Sequence, residues 1–270
     1  MTVLVTGAHG RIAQAFITRL TSAGTPFRVA SSRPEPGEVR LDLRTGEGLA
    51  EALDGVDQVL LYTQPDGVEA FLRAAQGVRH IVQVSSAAVV TGRGTIAERH
   101  KVVEDALLAS GPPTTVLRPG AFAGNTFRWA ESIRTTSTVE LVHPDARYAP
   151  IHEDDIAAVA QTVLDSGRHV GEALTLTGPE PLSYRQQVAI LAEVLDRPIS
   201  VVELSRQQAL DQRPAFISAE VMAELLDSDA RYVEGPTLLT DTVAAVTGVP
   251  ARDFRRWAVE HRAEFEAPQG

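Results

Sequence analysis

Residues 1–13 restrict the fold more than any other segment of the chain. Val3–Thr6 is a short apolar, β-branched run, and Thr6-Gly7-Ala8-His9-Gly10-Arg11-Ile12-Ala13 follows it with Gly, Gly and Ala at a G-x-x-G-x-x-A spacing. Arg11–Ala23 then carries apolar residues at helical intervals, so the glycines sit at a strand–turn–helix junction. Each small residue has a physical task there. Gly7 lets the chain turn sharply, Gly10 lets backbone approach a pyrophosphate without a Cβ in the way, and Ala13 keeps the helix close to the strand. The helix start, with Arg11 and Ile12 as its first residues, offers N–H donors and the positive end of its dipole. His9 lies inside the loop, where its ring can support the pyrophosphate or face solvent.

The same alternation continues. Phe27–Ser32, Val39–Leu41, Asp57–Tyr62, His80–Ser85 and Thr114–Leu117 read as strands, several of them apolar throughout, as strands covered on both faces are. Gly46–Leu53, Gly67–Gln76 and Ile96–Ala109 read as the intervening helices, with Gly24, Gly77 and Gly111 placed to close helices in the left-handed conformation. Strand and helix in turn, with short connections, give an α/β fold: a doubly wound parallel sheet of the Rossmann kind. After Pro119 the rhythm changes. Ala121–Arg134 reads as helix, Thr135–Tyr148 as a loop or short hairpin, Glu153–Leu164 as helix and Ala173–Leu176 as strand. Ser183 caps a helix running to Leu195, and the remainder is mostly helical apart from a strand at Ile199–Glu203. The expected organisation is a dinucleotide-binding domain of residues 1–120 and 151–178, with residues 121–150 and 179–270 forming a smaller, mainly helical substrate region.

Composition narrows the partners. Asp and Glu number 35 against 25 Lys and Arg, a net charge of −10 that suits neither nucleic acid nor an anionic membrane. The absence of cysteine excludes disulfides, thiolate catalysis and cysteine-ligated zinc. No apolar run approaches the roughly 20 residues of a membrane span. The expectation is a soluble, cytoplasmic monomer or homodimer that acts on a small molecule. His152-Glu153-Asp154-Asp155 groups four metal-ligand types, but carboxylates opening a helix answer to its dipole and its capping, so no metal is expected. No Gly-x-Ser-x-Gly elbow of a hydrolase occurs.

The choice of dinucleotide turns on the second strand. An acidic residue about 20 positions beyond the glycines would bind an NAD ribose. Here the strand ends in Ala30-Ser31-Ser32-Arg33, with no acid before Glu35. Hydroxyls and a guanidinium suit a 2′-phosphate, so NADPH is favoured over NADH, with Ser32 and Arg33 as ligands. Asp42-Leu43 follows the third strand, Thr63-Gln64 the fourth and Ser85 the fifth, all at strand C-terminal ends where open α/β sheets bind ligands.

One count bears on mechanism: Lys101 is the only lysine among the 25 basic side chains. The Thr-Gly-x-x-Gly-x-x-Ala loop resembles the short-chain dehydrogenase/reductase superfamily, whose usual members use a Tyr-x-x-x-Lys pair for proton transfer. Four residues before Lys101 stands Ala97, so the pair is absent. Ala97-Glu98-Arg99-His100, Val103-Glu104-Asp105-Ala106-Leu107 and Leu117-Arg118-Pro119-Gly120 resemble the NmrA-like atypical branch, and within it the NAD(P)H-dependent quinone reductases. Asn125, Asp154-Asp155-Ile156-Ala157-Ala158, Leu174-Thr175-Leu176-Thr177-Gly178 and Leu225-Leu226-Asp227-Ser228-Asp229 extend the resemblance along nearly the whole chain. It implies that His100 stands near the missing lysine and Ile96 near the missing tyrosine.

The resulting expectation is an NADPH-dependent reductase that delivers hydride to a quinone, enone or iminium. Such acceptors yield stabilised products and need no positioned acid, whereas a simple ketone yields a basic alkoxide. His100 and Asn125 are the candidate catalytic residues, and Phe122, Tyr148 and Phe216 are candidates for the substrate pocket. Two other classes keep the same loop: a non-catalytic NADP(H)-binding redox sensor, and a repurposed fold catalysing a non-redox isomerisation, dehydration or cyclisation.

Overall fold

The computed structural model describes residues 1–62, 65–91, 94–215 and 217–266. The first half runs β1 (Val3–Thr6), α1 (Arg11–Ala23), β2 (Phe27–Ser31), β3 (Val39–Arg40), α2 (Leu49–Leu53), β4 (Gln58–Tyr62), α3 (Val68–Ala74), β5 (His80–Val84), α4 (Ala88–Thr91), α5 (Thr95–Ser110) and β6 (Thr114–Pro119). It continues with α6 (Ala130–Thr136), β7 (Thr138–Leu141), β8 (Arg147–Tyr148), α7 (Glu153–Ser166), β9 (Ala173–Leu176) and β10 (Leu182–Ser183). The last elements are α8 (Tyr184–Leu195), β11 (Ser200–Glu203), α9 (Arg206–Asp211), α10 (Ala219–Glu234), α11 (Thr242–Thr247) and α12 (Phe254–Glu260).

Two compact units result: Met1–Pro119, Glu153–Leu176 and Asp241–Pro250 make the first, and Gly120–His152, Thr177–Thr240 and Ala251–Gly270 the second. Residues 241–250, expected with residues 179–270, are instead part of the first unit, where α11 packs on α7.

The first unit is built on a seven-stranded parallel sheet ordered β3-β2-β1-β4-β5-β6-β9. Its apolar central strands are dry: Leu4, Val5, Val59, Ile81, Val82, Val116 and Leu117 are essentially inaccessible. Helices cover both faces, as parallel strands of this composition require. One face receives Phe71 of α3 with Val103 and Leu107 of α5. Elsewhere α1 and α7 pack together, burying Phe16, Leu20, Ile156 and Val163, with Arg19 Nε donating to Gln161 Oε1 at 3.0 Å.

The second unit has its own core, in which Ile133, Val139, Leu191, Phe254, Trp257 and Phe265 are buried together. Phe127 meets the Trp257 ring edge-on at 4.8 Å. Thr135–Tyr148, expected as a loop or hairpin, instead contributes to two separate ladders: β7 pairs parallel with β11, and β8 pairs antiparallel with β10. The segment from Ala121 is a 3₁₀ turn over Ala123–Trp129 before α6 begins, rather than one helix. Gly24 closes α1 at φ +65°, as expected. Gly111 instead follows α5 in extended backbone at φ −85°, and Gly77 lies outside the left-handed region as well. Among the described residues no helix is long and apolar enough to cross a membrane.

Candidate active site

Strand order reverses at β1, which has β2 on one side and β4 on the other. The turn leaving β1 thus opens at the switch point, where the strand ends part and leave a crevice. Gly7 turns the chain at φ +66°, and a Cβ there would also stand 3.3 Å from the Tyr62 Cβ. The Gly10 N–H donates to the Gly7 carbonyl at 2.9 Å, and Gly10 caps α1 without a side chain of its own. Thr6 fixes the loop to β4, its Oγ1 accepting from the Tyr62 N–H at 2.7 Å and donating to the Leu60 carbonyl at 3.1 Å.

The crevice encloses about 500 Å³. Its walls are the loop (Gly7, His9, Gly10), the end of β2 (Ser31, Ser32, Arg33), the segment after β3 (Asp42, Leu43, Arg44) and Tyr62. Arg11 and Ile12 open α1 and are not part of this wall, so their backbone N–H groups are what they offer a phosphate. The bare glycine backbone, the uncapped helix start and a cleft of this size fit a dinucleotide. Thr63 and Gln64, also expected here, lie outside the described residues.

Two arginines line the crevice, Arg33, which was expected there, and Arg44, which was not. The Arg33 N–H donates to Ser31 Oγ at 3.1 Å, and Arg44 is set by Asp42, whose Oδ1 accepts the Arg44 N–H at 2.8 Å. Asp42 is therefore engaged in a turn. The sequence signal for Arg44 was that Asx turn, two residues after an acid at a strand end. His9 faces carboxylates, its Nε2 3.1 Å from Glu38 and its Nδ1 3.8 Å from Glu35. The ring ties the loop to the segment after β2.

At the ends of β5 and β6 a buried carboxylate organises the surroundings. Glu104 of α5 is 1% exposed and accepts from Ser85 Oγ and from Arg118 Nε, the latter at 3.1 Å. Its hydrogen bond raises the Arg118 pKa. Ser85, expected at the cofactor, is buried with its hydroxyl turned inward to Glu104. Neither Glu104 nor Arg118 was singled out from sequence, where they served only as family landmarks. His100 lies one turn before Glu104 on α5, half-buried, with Nδ1 enclosed and unpartnered. Burial lowers its pKa, against the opposing pull of Glu104, and so favours the uncharged ring. Lys101 points to solvent and holds Asp105 at 2.5 Å.

The remaining candidates lie in the second unit. Asn125 is exposed in the 3₁₀ turn, its N–H donating to the carbonyl of Phe122, which is half-buried. Tyr148 donates its hydroxyl to Asp229 at 2.6 Å, and Tyr184 donates to the same oxygen at 3.0 Å. Burial raises the pKa of all three groups, Tyr184 to about 12. Phe216 lies outside the described residues. His152 stands with its Nε2 3.0 Å from Glu260, and Glu153 and Asp155 are buried in the first turn of α7, where its dipole favours carboxylates.

Known proteins resemble the chain in sequence and in fold. A family pattern described as NAD(P)H-binding matches residues 7–167. A (4-alkanoyl-5-oxo-2,5-dihydrofuran-3-yl)methyl phosphate reductase of Streptomyces griseus is 38% identical, over 99% of this chain and 100% of its own. An NAD(P)H azoreductase of Xenophilus azovorans is 30% identical, over 98% and 99%. In fold, the chain superposes on an NADPH-dependent quinone oxidoreductase of Escherichia coli with a TM-score of 0.80, at 21% identity, covering 96% of this chain and 99% of that one. The chain belongs to the NAD(P)H-binding family that this pattern describes, and its relatives there are oxidoreductases.

Proposed function

We propose that the chain is an NADPH-dependent reductase that saturates a carbon–carbon double bond activated by conjugated carbonyls. The observation that carries the reading is the state of α5: the only lysine is exposed and paired with Asp105, and His100 beside it is half-buried with its Nδ1 unpartnered. Neither is set up as the positioned proton donor that a nascent alkoxide would need. When bound, NADPH supplies hydride. The Gly7–Gly10 loop and the α1 N-terminus bind its pyrophosphate, and Arg33, Arg44 and Ser32 favour a 2′-phosphate. His100 has an enclosed, unpartnered Nδ1 with which its ring can hydrogen-bond.

The relative from Streptomyces griseus supports the acceptor class. Its name describes a lactone whose ring double bond is conjugated both to the lactone carbonyl and to the alkanoyl carbonyl. Hydride addition at the carbon bearing the phosphomethyl group leaves the electron pair delocalised over both carbonyls. Solvent then protonates the carbon between them, and no protein acid is required. The test is to mix the NADPH-loaded protein with alkanoyl lactones of this kind, a quinone and a plain ketone, following loss of nicotinamide absorbance. Oxidation by the activated acceptors and not by the ketone is expected. Tight NADPH binding with no oxidation by any acceptor would assign the chain to the redox sensors instead.

A further inference from the structure

The second unit contains a cavity of its own, about 510 Å³, within the range of small-molecule sites. Its lining separates by chemistry. Trp129, Leu141, Ala209 and Leu226 are each 7% exposed or less, and together with Met222 they give it an apolar interior. Arg128 and Arg213 also line it. The Arg128 guanidinium lies over the Tyr184 ring at 5.0 Å, and Arg213 spends one N–H on the Leu210 carbonyl at 2.9 Å. The cavity's two carboxylates do not cancel them equally. Asp229 accepts from the hydroxyls of Tyr148 and Tyr184 and also faces the charge of Arg128, while Glu140 is exposed on β7.

We infer that this cavity binds an amphiphile, an alkyl or acyl chain in its apolar interior and an anionic ester head on Arg128 and Arg213. An apolar chain alone would bring no anion to the two guanidinium groups, and a small anion alone would leave the interior empty. Guanidinium forks match the oxygens of a phosphate monoester. That the occupant is the chain's own substrate, an acyl-bearing phosphate ester, rests on the reading under Proposed function; that the cavity binds such a molecule does not.

The probe is a series of n-alkyl phosphates, which cannot be reduced. Trp129 reports their entry by fluorescence, in a Trp257→Phe protein so that the second of the two tryptophans stays silent. Affinity is expected to rise roughly threefold to fourfold for each methylene until the cavity is full. Ala209→Phe should abolish that chain-length dependence. Arg128→Gln, at an exposed position, should weaken alkyl phosphates about tenfold or more while leaving alkyl alcohols alone. No dependence on chain length, or alkyltrimethylammonium ions binding as well as alkyl phosphates, overturns the inference. Alkyl phosphate binding without reduction of any activated lactone would uphold the cavity and sink the proposed reaction. Reduction that ignores acyl length, with no alkyl phosphate binding, would do the reverse.

Discussion

Arg33 tests the cofactor assignment at the scale of one residue. It lines the crevice beside Ser32, and a charge-assisted hydrogen bond is worth about 1.5–3 kcal/mol, roughly a 10- to 100-fold change in affinity. Arg33→Ala should weaken NADPH by that factor and leave NADH nearly unaffected, as measured by calorimetric titration of each; equal losses would remove the 2′-phosphate from the argument. Glu104 is a second single-residue case. Its carboxylate is compensated by Arg118 and Ser85, so Arg118→Met would strand a buried charge at a cost of about 3 kcal/mol. Adding Glu104→Gln should recover much of that loss in a denaturant titration. The histidines set a pH dependence. His80 and His100 are both pushed below 6.5 by burial, so the unfolded chain takes up protons near 6.5 that the folded chain refuses. The unfolded state binds more protons, and stability falls as pH drops through and below about 6.5. Thermal unfolding between about pH 7 and pH 5 should show this decline, with a shallower slope in His100→Asn.

At the scale of the element, α8 shows why some structure could be read from the chain. Ser183 accepts from the Gln186 N–H at 3.1 Å and Gln186 Oε1 accepts from the Ser183 N–H at 2.8 Å, closing a capping box that is local in sequence. Ser183→Ala should cost about 1 kcal/mol by chemical denaturation; a negligible loss would mean that packing alone starts the helix. β1, the glycine loop and α1 were legible for the same reason, since periodicity and turn chemistry act over a few residues. β7 was not. Its register partner places Val139 against Val201, and nothing in residues 135–148 announces a strand arriving from so far along the chain. The candidate site divides in the same way. Gly7, Gly10, Ser32 and Arg33 follow from local spacing, whereas Ser85 turned out to serve Glu104, and Tyr148 is held by an aspartate 81 residues away. Contacts of that separation leave no period to detect.

At the scale of the whole molecule, composition and mechanism meet in a single cation. A chain of 270 residues with 25 basic side chains has placed only one of them on lysine, and that one is 54% exposed and paired with Asp105 four residues on. Such an exposed pair contributes a few tenths of a kcal/mol. Reagents that acetylate amines can reach only Lys101 and the chain's amino terminus, which makes the proton question answerable without mutating the site. If conjugation in the acceptor does the work of the missing acid, exhaustive acetylation should leave the rate of NADPH oxidation within about a factor of two. Lys101→Met should behave alike, and its effect on Tm should be barely measurable. A general acid in this position contributes about 100-fold or more to rate, so a loss of that size in both proteins would show Lys101 protonating the product. Its ion pair with Asp105 would then have to break during turnover, and the assignment of an acceptor that needs no acid would fall with it.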